Sequence, residues 1–471
     1  MKAAKKLLAL ILAAAMMYGT LQAAASGAET SEPLPLVDID YGALKNVGNP
    51  ERAGAAVAAA IEGWSPQQKA DSGYIEEITA FAEAAITAAS SISYLQGKEV
   101  YITETSFEEA AERAYEAVRE VRKALSDAKI TLNRDIRTNL RMNLVSGSAV
   151  SLIATIDNSA SYISADAITM SAGSVAVSVK VANIARMTND SSFIITISPV
   201  LDGSYPPSMG VGYTFWIAIN KLIEESVTVS LARDSLSPEY LSAFRGRTVP
   251  VGGVHNKATD MLDFKVRGNG LYVLKENPVA FSDVSGLDQE TAEAVGFLAA
   301  RGIVSAKTDT LFAPDDLITR AEFAMFITKA MYVFDPSLDG GFADVLPDAP
   351  FFGAAGAVRK HRLITYFIKN ERGSDLFEVD MPVTRTLALA MSAIALNTQM
   401  RYALPKDAGA YLNGYTDRNS IPNWALTYLA LAKRENLIAS DGNTLGMLMP
   451  GANITRGEAA LIVKRLYDKL W

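Results

Sequence analysis

Three short phrases in the C-terminal part of the sequence place a threonine and an arginine where a helix should begin. The phrases are "ITRAEFA" (318–324), "VTRTLAL" (383–389) and "ITRGEAA" (454–460), with arginines Arg320, Arg385 and Arg456. A cation gains nothing from the helix dipole at this end. The guanidinium and the free amides of the first turn would instead form an anion pocket. The planar guanidinium suits a carboxylate because it can donate two parallel hydrogen bonds to it. The alternative is an arginine that pairs with a nearby carboxylate, such as Asp283 or Asp417, and holds neighbouring units together.

Two of the three phrases also carry a complete capping box, which predicts where the helix begins. A threonine at the N-cap and a glutamate three residues later bond to each other's backbone amides, and such a cap contributes about 1 kcal/mol. The pairs are Thr319 with Glu322 and Thr455 with Glu458. Leu387 replaces the glutamate in the middle phrase, so this copy keeps its arginine and loses the box.

The arginine phrases belong to a longer pattern that occurs three times after residue 280. Each copy opens on an aromatic residue and an aspartate, in "FSDV" (281–284), "FADV" (342–345) and "YTDR" (415–418). A helical stretch follows, then a turn, and the threonine comes 38, 42 and 40 residues after the aromatic residue. The aspartates either cap the next turn or accept hydrogen bonds from sugar hydroxyls; they are Asp283, Asp344 and Asp417. Repeats of this kind bury their apolar faces against one another.

These residues resemble three tandem S-layer homology (SLH) modules: repeat one (280–340), repeat two (341–409) and repeat three (410–471). "ITRAEFA" and "IPNWA" (421–425) are the most typical phrases. The resemblance implies a mainly α, pseudo-threefold spindle that binds acidic, often pyruvylated, secondary cell-wall polysaccharide in grooves between modules. The residues it implies as polymer contacts are Asp283, Arg320, Asp344, Arg385, Asp417, Trp424 and Arg456.

The copies depart from the family pattern in different places. Repeat one has no tryptophan in its first helix ("TAEAVGFLA", 291–299), and repeat two has "HRLITYFIKNERGSDLF" (361–377) where the family usually has glycines. Repeat three keeps the whole set, including Trp424. This tryptophan could stack on a sugar ring or lie in the core, as helix tryptophans usually do.

The first 25 residues have the pattern of a secretory signal peptide. Three lysines precede the apolar run "LLALILAAAMM" (7–17), and small residues follow it. The run is too short to span a bilayer, and no later segment has eighteen uninterrupted apolar residues. We therefore expect an exported protein without a membrane span after removal of the signal, with a flexible lead-in at 26–37. An N-terminal membrane anchor is the alternative.

Charge and cysteine content narrow the classes of partner and chemistry. The 471 residues carry a net charge of −8, and removal of the three signal lysines takes it to −11. An acidic protein is a poor candidate for nucleic-acid binding or for adhesion to an anionic membrane. The absence of cysteine excludes thiolate zinc sites and thiol nucleophiles. We expect neither a metal nor a cofactor.

Residues 38–128 and 129–279 are predicted as a helical domain and a β-rich domain. Apolar residues recur at helical spacing between 74 and 127, whereas "SVAVSVKV" (174–181) and several similar runs alternate as strands do. These runs predict an antiparallel sandwich, and "MLDFKVRGNGLYVLKENP" (261–278) predicts a hairpin around Gly-Asn-Gly. With the SLH-like repeats, the expected fold is a multidomain α+β protein.

The sequence offers little catalytic chemistry. It has two histidines, His255 and His361, and no nucleophile elbow, His-Glu-x-x-His or phosphate-loop motif. Four carboxylate pairs could in principle hydrolyse glycosides: Asp38/Asp40, Glu76/Glu77, Glu108/Glu109 and Glu224/Glu225. We predict a non-enzymatic surface protein of a bacterium, anchored to the wall and able to meet other surface-layer proteins. The alternative is an SLH-anchored carbohydrate-active enzyme with its active site in 38–279.

Overall fold

A computed structural model describes most of the chain after residue 33. The described residues are 34–35, 37–94, 99–144, 151–184, 192–199, 214–220, 227–233, 235–246, 248–266, 268–364, 366–438 and 446–470. The predicted signal peptide (1–25), most of the predicted lead-in and Glu224/Glu225 lie outside them. Residues 39–471 form one compact unit. Within the described ranges, no helix is both long enough and apolar enough to cross a membrane.

The N-terminal part, up to Asp127, is mainly helical but also contains two short strands. Its helices are α1 (Pro50–Ala60), α2 (Pro66–Ala70), α3 (Ser72–Ser90) and α4 (Glu108–Asp127). The side chains of Asn49 and Ser65 cap α1 and α2, each of which begins with proline. α1, α3 and α4 pack against one another, so their apolar faces form one buried layer.

Two seven-stranded sheets follow the helices and also include two strands that precede α4. The strands are β1 (Ile92–Tyr94), β2 (Glu99–Ile102), β3 (Asn139–Leu144), β4 (Leu152–Ile156), β5 (Ala167–Ala172), β6 (Val175–Lys180), β7 (Phe193–Pro199), β8 (Thr214–Ile219), β9 (Val227–Ala232), β10 (Leu241–Arg245), β11 (Val249–Gly252), β12 (Val254–Asn256), β13 (Met261–Val266) and β14 (Gly270–Glu276). Helix α5 (Val181–Ile184) follows β6.

The sheets are mixed, so the prediction of a purely antiparallel sandwich is wrong. Their strand orders are β1-β3-β5-β6-β9-β13-β12 and β11-β10-β14-β8-β7-β4-β2. The pairs β1–β3, β3–β5 and β2–β4 are parallel. The two sheets contact each other through β4 and β5 and through β10 and β13. Strands β1 and β2 come from the predicted helical region, which therefore contributes to both sheets.

The predicted hairpin at 261–278 is also wrong. Strand β13 pairs with β9 and β12, whereas β14 pairs with β10 and β8 in the other sheet. Gly268 and Gly270 have φ angles of +119° and +153°, which suit glycine alone. The Gly-Asn-Gly turn thus carries the chain from one sheet to the other, because a turn signal does not specify which strands pair.

The C-terminal region contains the helices of the three repeats and one short hairpin. They are α6 (Gln289–Ala300), α7 (Arg320–Ala330), α8 (Phe352–Lys360), β15 (Ile368–Lys369), β16 (Asp375–Leu376), α9 (Arg385–Met400), α10 (Gly409–Leu412), α11 (Leu426–Arg434) and α12 (Arg456–Leu470). One apolar cluster runs through all three repeats, from Phe281 to Tyr467. α12 contacts α6, α7 and α9, so the last helix closes the assembly against the first repeat.

The three threonine–arginine phrases meet in a closed ring of backbone hydrogen bonds. The amide of Ile318 donates to the carbonyl of Ile454 at 3.1 Å. Ile454 donates in turn to Val383 at 2.9 Å, and Val383 donates to Ile318 at 3.0 Å. The repeats are therefore arranged cyclically, and each phrase lies beside the other two.

Buried polar contacts join the repeat region to the helices and sheets that precede it. The guanidinium of Arg301 and the hydroxyl of Tyr467 both donate to the carbonyl of Gly253, at 3.0 and 3.1 Å. At a second junction, the hydroxyl of Tyr402 donates to the carboxylate of Glu76. Arg301, Tyr402 and Tyr467 are all buried. The predicted boundary near residue 280 is thus an interface that excludes water.

Candidate functional site

The aspartate that opens each repeat holds the loop before the arginine helix of the same repeat. Each carboxylate accepts two consecutive backbone amides, one at each oxygen, at 2.6–2.9 Å. The donors are Phe312 and Ala313 to Asp283, Phe377 and Glu378 to Asp344, and Leu448 and Met449 to Asp417. The second donor of each pair has φ between +54° and +59°, a conformation that non-glycine residues seldom adopt. The aspartates therefore stabilise a strained loop.

The capping role predicted for the aspartates does not describe this geometry. Their amide donors are about thirty residues further along the chain, so they do not cap the next turn. Partial burial raises the pKa of Asp283. The amides of Phe312 and Ala313 and the charge of Arg456 lower this pKa by a larger amount, so it lies below its ordinary value. The carboxylate of Asp283 is thus held in its ionised form by the loop it clamps.

The helix starts have the predicted caps. Thr319 and Glu322 form a complete capping box, with bonds of 3.2 and 2.9 Å. Thr455 and Glu458 form another, with bonds of 3.2 and 2.8 Å. In repeat two Thr384 accepts the amide of Leu387 at 3.3 Å, without a return bond from a glutamate. The box is therefore complete in repeats one and three only.

The first-turn amides of the arginine helices are not free. In each helix the arginine and the next residue donate their amides to two carbonyls of the following repeat, at 2.8–3.2 Å. The pairs are Arg320–Met381 and Ala321–Val379, Arg385–Ala452 and Thr386–Pro450, and Arg456–Asp316 and Gly457–Pro314. The predicted pocket of free amides and guanidinium is therefore wrong. The amides dock each repeat onto the next, and we call this contact a seam.

Arg456 closes the seam between repeats three and one. Its Nε donates to the carbonyl of Phe312 at 2.8 Å, Nη1 to Glu322 at 2.7 Å and Nη2 to the carbonyl of Ser305 at 3.0 Å. The guanidinium also lies 4.8 and 5.4 Å from the ring centres of Phe312 and Phe326. Only 3% of the side chain is exposed. Every nitrogen of this guanidinium is bonded within the protein, which makes Arg456 a tie between repeats.

The other two seams leave guanidinium donors unbonded. Arg385 donates through Nη2 to Glu458 at 2.6 Å, and Arg320 donates through Nη1 to Glu378 at 2.9 Å and to the carbonyl of Phe377. The buried Nε of each arginine has no hydrogen-bond partner. Their side chains are 22% and 16% exposed. Among the described residues, a second guanidinium nitrogen on each arginine is also unbonded, so donors remain at both seams.

The carboxylates that pair with the arginines are not Asp283 or Asp417. Arg456 and Arg385 pair with the capping glutamate of the next repeat, which is Glu322 or Glu458. Leu387 occupies that position in repeat two, and the loop residue Glu378 supplies the carboxylate for Arg320 instead. Sequence reasoning missed Glu378. Its place directly after Phe377, in the loop that Asp344 clamps, is the signal that could have identified it.

Trp424 lies at the surface of repeat three, so the core alternative is wrong. The residue belongs to a short 3-10 helix, Asn423–Ala425. Trp424 is 55% exposed, whereas the neighbouring Ala425 is fully buried. The indole therefore has a surface on which a ligand could stack.

Comparison with known proteins identifies part of this region. The S-layer homology domain family matches residues 280–324 and 414–460. The chain is 27% identical over 255 residues to an amylopullulanase of Thermoanaerobacterium thermosulfurigenes, covering 54% of this chain and 13% of that protein. It is 30% identical over 197 residues to Exoglucanase XynX of Acetivibrio thermocellus, covering 42% of this chain and 17% of that protein.

A surface-layer protein is also among the relatives. The chain is 26% identical over 191 residues to the surface-layer 125 kDa protein of Lysinibacillus sphaericus, covering 40% of this chain and 15% of that protein. The chain thus spans less than a fifth of each of these curated relatives. The two family matches include the clamp, cap and arginine of repeats one and three. Residues 280–324 and 414–460 are regions of S-layer homology, a domain that indicates anchoring at the cell surface.

Proposed function

We propose that this chain is a bacterial surface protein that anchors to an acidic, pyruvylated cell-wall polysaccharide through three SLH modules. Arg320 and Arg385 make the main contacts, each from the seam between its own repeat and the next. The observation that carries the proposal is the unbonded terminal nitrogen on each of these partly exposed side chains, Nη2 of Arg320 and Nη1 of Arg385. A planar guanidinium fork binds a carboxylate through two parallel hydrogen bonds, which is the chemistry that a pyruvyl ketal requires.

Residues 341–409 take part as the third module. Three observations support this inclusion, although the family matches cover repeats one and three. Asp344 clamps its loop as the other two aspartates do. Val383 completes the backbone ring, and Thr384 caps the helix that carries Arg385. The same backbone contacts therefore recur at every seam.

We call the seams at Arg320 and Arg385, where guanidinium donors are unbonded, the open seams. Two open seams in one molecule favour a polymer over a small ligand. A hydrogen bond to a charged group contributes only about 1.5–3 kcal/mol, which is a weak interaction for a single seam. When one polymer chain engages both seams, the second contact is intramolecular and the combined affinity rises without any new contact. Trp424 adds an exposed indole against which a sugar ring can stack.

We propose binding rather than catalysis for the N-terminal part. Glu76 bonds to Arg134 and Tyr402, and Glu77 bonds to Lys257 at 2.7 Å, so both carboxylates hold the fold together. The alternative is a carbohydrate-active enzyme, since the relatives include an amylopullulanase and an exoglucanase. A glycan-release assay on the full chain separates the two: release of sugar that is lost on carboxylate substitution would favour the enzyme.

Binding of the full chain to purified wall sacculi tests the anchoring proposal. We expect the chain to sediment with untreated sacculi and to remain in solution when mild acid has removed the ketal groups. Equal sedimentation with both preparations would contradict a role for the acidic groups. The full chain is needed because Arg301, Tyr402 and Tyr467 lie in the buried interface between its two parts.

A further inference from the structure

A cleft of about 660 Å³ lies where the N-terminal helices meet the repeat region. One wall is the end of α4 and the segment that follows it, residues 122–136, and the other includes Arg401 and Ala403. The amide of Ala403 donates to the carbonyl of Asn133 at 3.5 Å and joins the two walls. The volume is typical of small-molecule sites.

The lining of this cleft is positively charged. It includes Arg122, Lys129, Arg134 and Arg401 but only one carboxylate, Asp135. Arg134 is neutralised by two glutamates. Arg122 and Lys129 form no ion pair with any residue that the structure describes. Arg401 is 80% exposed and forms a long ion pair with Asp166, at 3.9 Å. Arg122 and Lys129 therefore remain unpaired among the described residues, beside a weakly paired Arg401, in a chain whose net charge is −8.

Capping of α4 does not account for these cations. The last carbonyls of the helix already accept backbone amides: Ala128 donates to Ala124 at 3.1 Å, Lys129 to Ser126 at 2.9 Å and Ile130 to Leu125 at 2.9 Å. The ammonium of Lys129 is thus not needed as a cap. The amide nitrogen Nδ2 of Asn133, also in the lining, is buried and has no hydrogen-bond partner in the protein. An unbonded donor beside unpaired cations suits an oxyanion.

We propose that this cationic cleft (Arg122, Lys129, Asn133 and Arg401) binds a carboxylate- or phosphate-bearing sugar. The cations attract the acidic group, and the buried Nδ2 of Asn133 donates a hydrogen bond to it. The cleft uses neither Arg320 nor Arg385, so binding of an acidic sugar there is independent of polymer binding at the open seams.

Calorimetric titration of the full chain at low salt tests the cleft, because exposed charges are screened at high ionic strength. The probes are glucuronate and glucose 6-phosphate, with glucose as the neutral control. We expect roughly millimolar binding of at least one acidic sugar and none of glucose. Failure of both acidic sugars to bind would overturn the proposal.

Matched variants separate a site from general charge attraction. The variant Arg122→Gln/Lys129→Gln/Arg401→Gln should weaken binding at least tenfold. The control Lys45→Gln/Arg372→Gln/Lys406→Gln changes the net charge equally at exposed positions outside the cleft and should bind as wild type does. Equal weakening by both triple variants would overturn the proposal. Asn133→Asp places a carboxylate in the cleft and should also abolish binding, with circular dichroism reporting on the fold.

Competition identifies the source of the acidic sugar. Purified acidic wall polymer is added to the full chain that holds glucuronate or glucose 6-phosphate. Displacement of the bound sugar would show that the polymer is a ligand of the cleft. If the sugar is not displaced, free acidic sugars are the ligands. Either result supports binding of acidic sugars in the cleft. The variant Arg320→Gln/Arg385→Gln should bind the small sugars normally. Loss of their binding in this variant would contradict an independent site.

Discussion

The seam closed by Arg456 and the seams left open at Arg320 and Arg385 are built from the same phrase. In all three the arginine amide docks onto the next repeat, and the guanidinium pairs with one of its glutamates. Only Arg456 bonds through every nitrogen and is almost fully buried. One local sequence thus serves as a tie at one seam and leaves free donors at the others.

The repeat that receives the arginine explains the difference. Arg456 packs on repeat one, where Phe312 and Phe326 place aromatic rings beside it. Phe326 lies six residues after Arg320, and the corresponding residues of repeats two and three are Met391 and Ile462. Aromatic faces attract a guanidinium, so the receiving repeat supplies the closed environment. A complete capping box in the repeat that carries the arginine does not predict a closed seam, because Arg320 and Arg456 each lie within such a box and only Arg456 is fully bonded.

Removing the arginine should show the largest difference between the seams. Arg456→Met leaves the carboxylate of Glu322 and two carbonyls without their donor, and we expect a loss of about 3–5 kcal/mol in the free energy of unfolding. Arg385→Met breaks a more exposed pair and should cost about 1 kcal/mol. Urea unfolding of the full chain measures both. Equal losses would contradict the distinction between a closed and an open seam.

Asp283, the aspartate beside the closed seam, should make the free energy of unfolding depend on pH. The pKa of Asp283 is below its ordinary value in the folded chain, because its loop amides and Arg456 outweigh the effect of burial. The carboxylate therefore stabilises the fold above the unfolded pKa, about 3.9, and this contribution is lost as the pH falls through the folded pKa. Asp283→Asn should flatten the dependence of unfolding free energy on pH below about 4. An unchanged slope in that variant would refute the role of the clamp.

Leu387→Glu should have the smallest effect and would make the repeat-two cap resemble the others. A glutamate there can bond to the amide of Thr384 and complete the capping box, but it also removes the packing of Leu387 against the core, so the unfolding free energy should change by less than about 1 kcal/mol. It would also offer Arg320 a second carboxylate, so binding to sacculi should weaken. Thermal unfolding measures the first effect and sedimentation the second. Leu387→Gln, which can cap without adding charge, is the matched control.

Local features of the molecule were predictable from the sequence, and long-range pairings were not. The cap of Thr319 by Glu322 spans three residues, and its geometry follows from helix physics. The pairing of Arg456 with Glu322 spans 134 residues and depends on how the repeats close into a ring. The wrong hairpin at 261–278 has the same cause, since the Gly-Asn-Gly turn is local but strand partners are not. Threefold repetition indicated the ring but not which seam is buried.

Sacculus binding by Arg320→Gln/Arg385→Gln tests the central claim most directly. Arg113→Gln/Arg119→Gln, which removes two charges from the exposed face of α4, serves as the control for charge, and urea unfolding confirms that each variant remains folded. We predict that the double variant raises the dissociation constant for untreated sacculi at least tenfold, whereas the control binds as wild type does. Wild-type affinity in a folded double variant would contradict the assignment of polymer binding to the open seams.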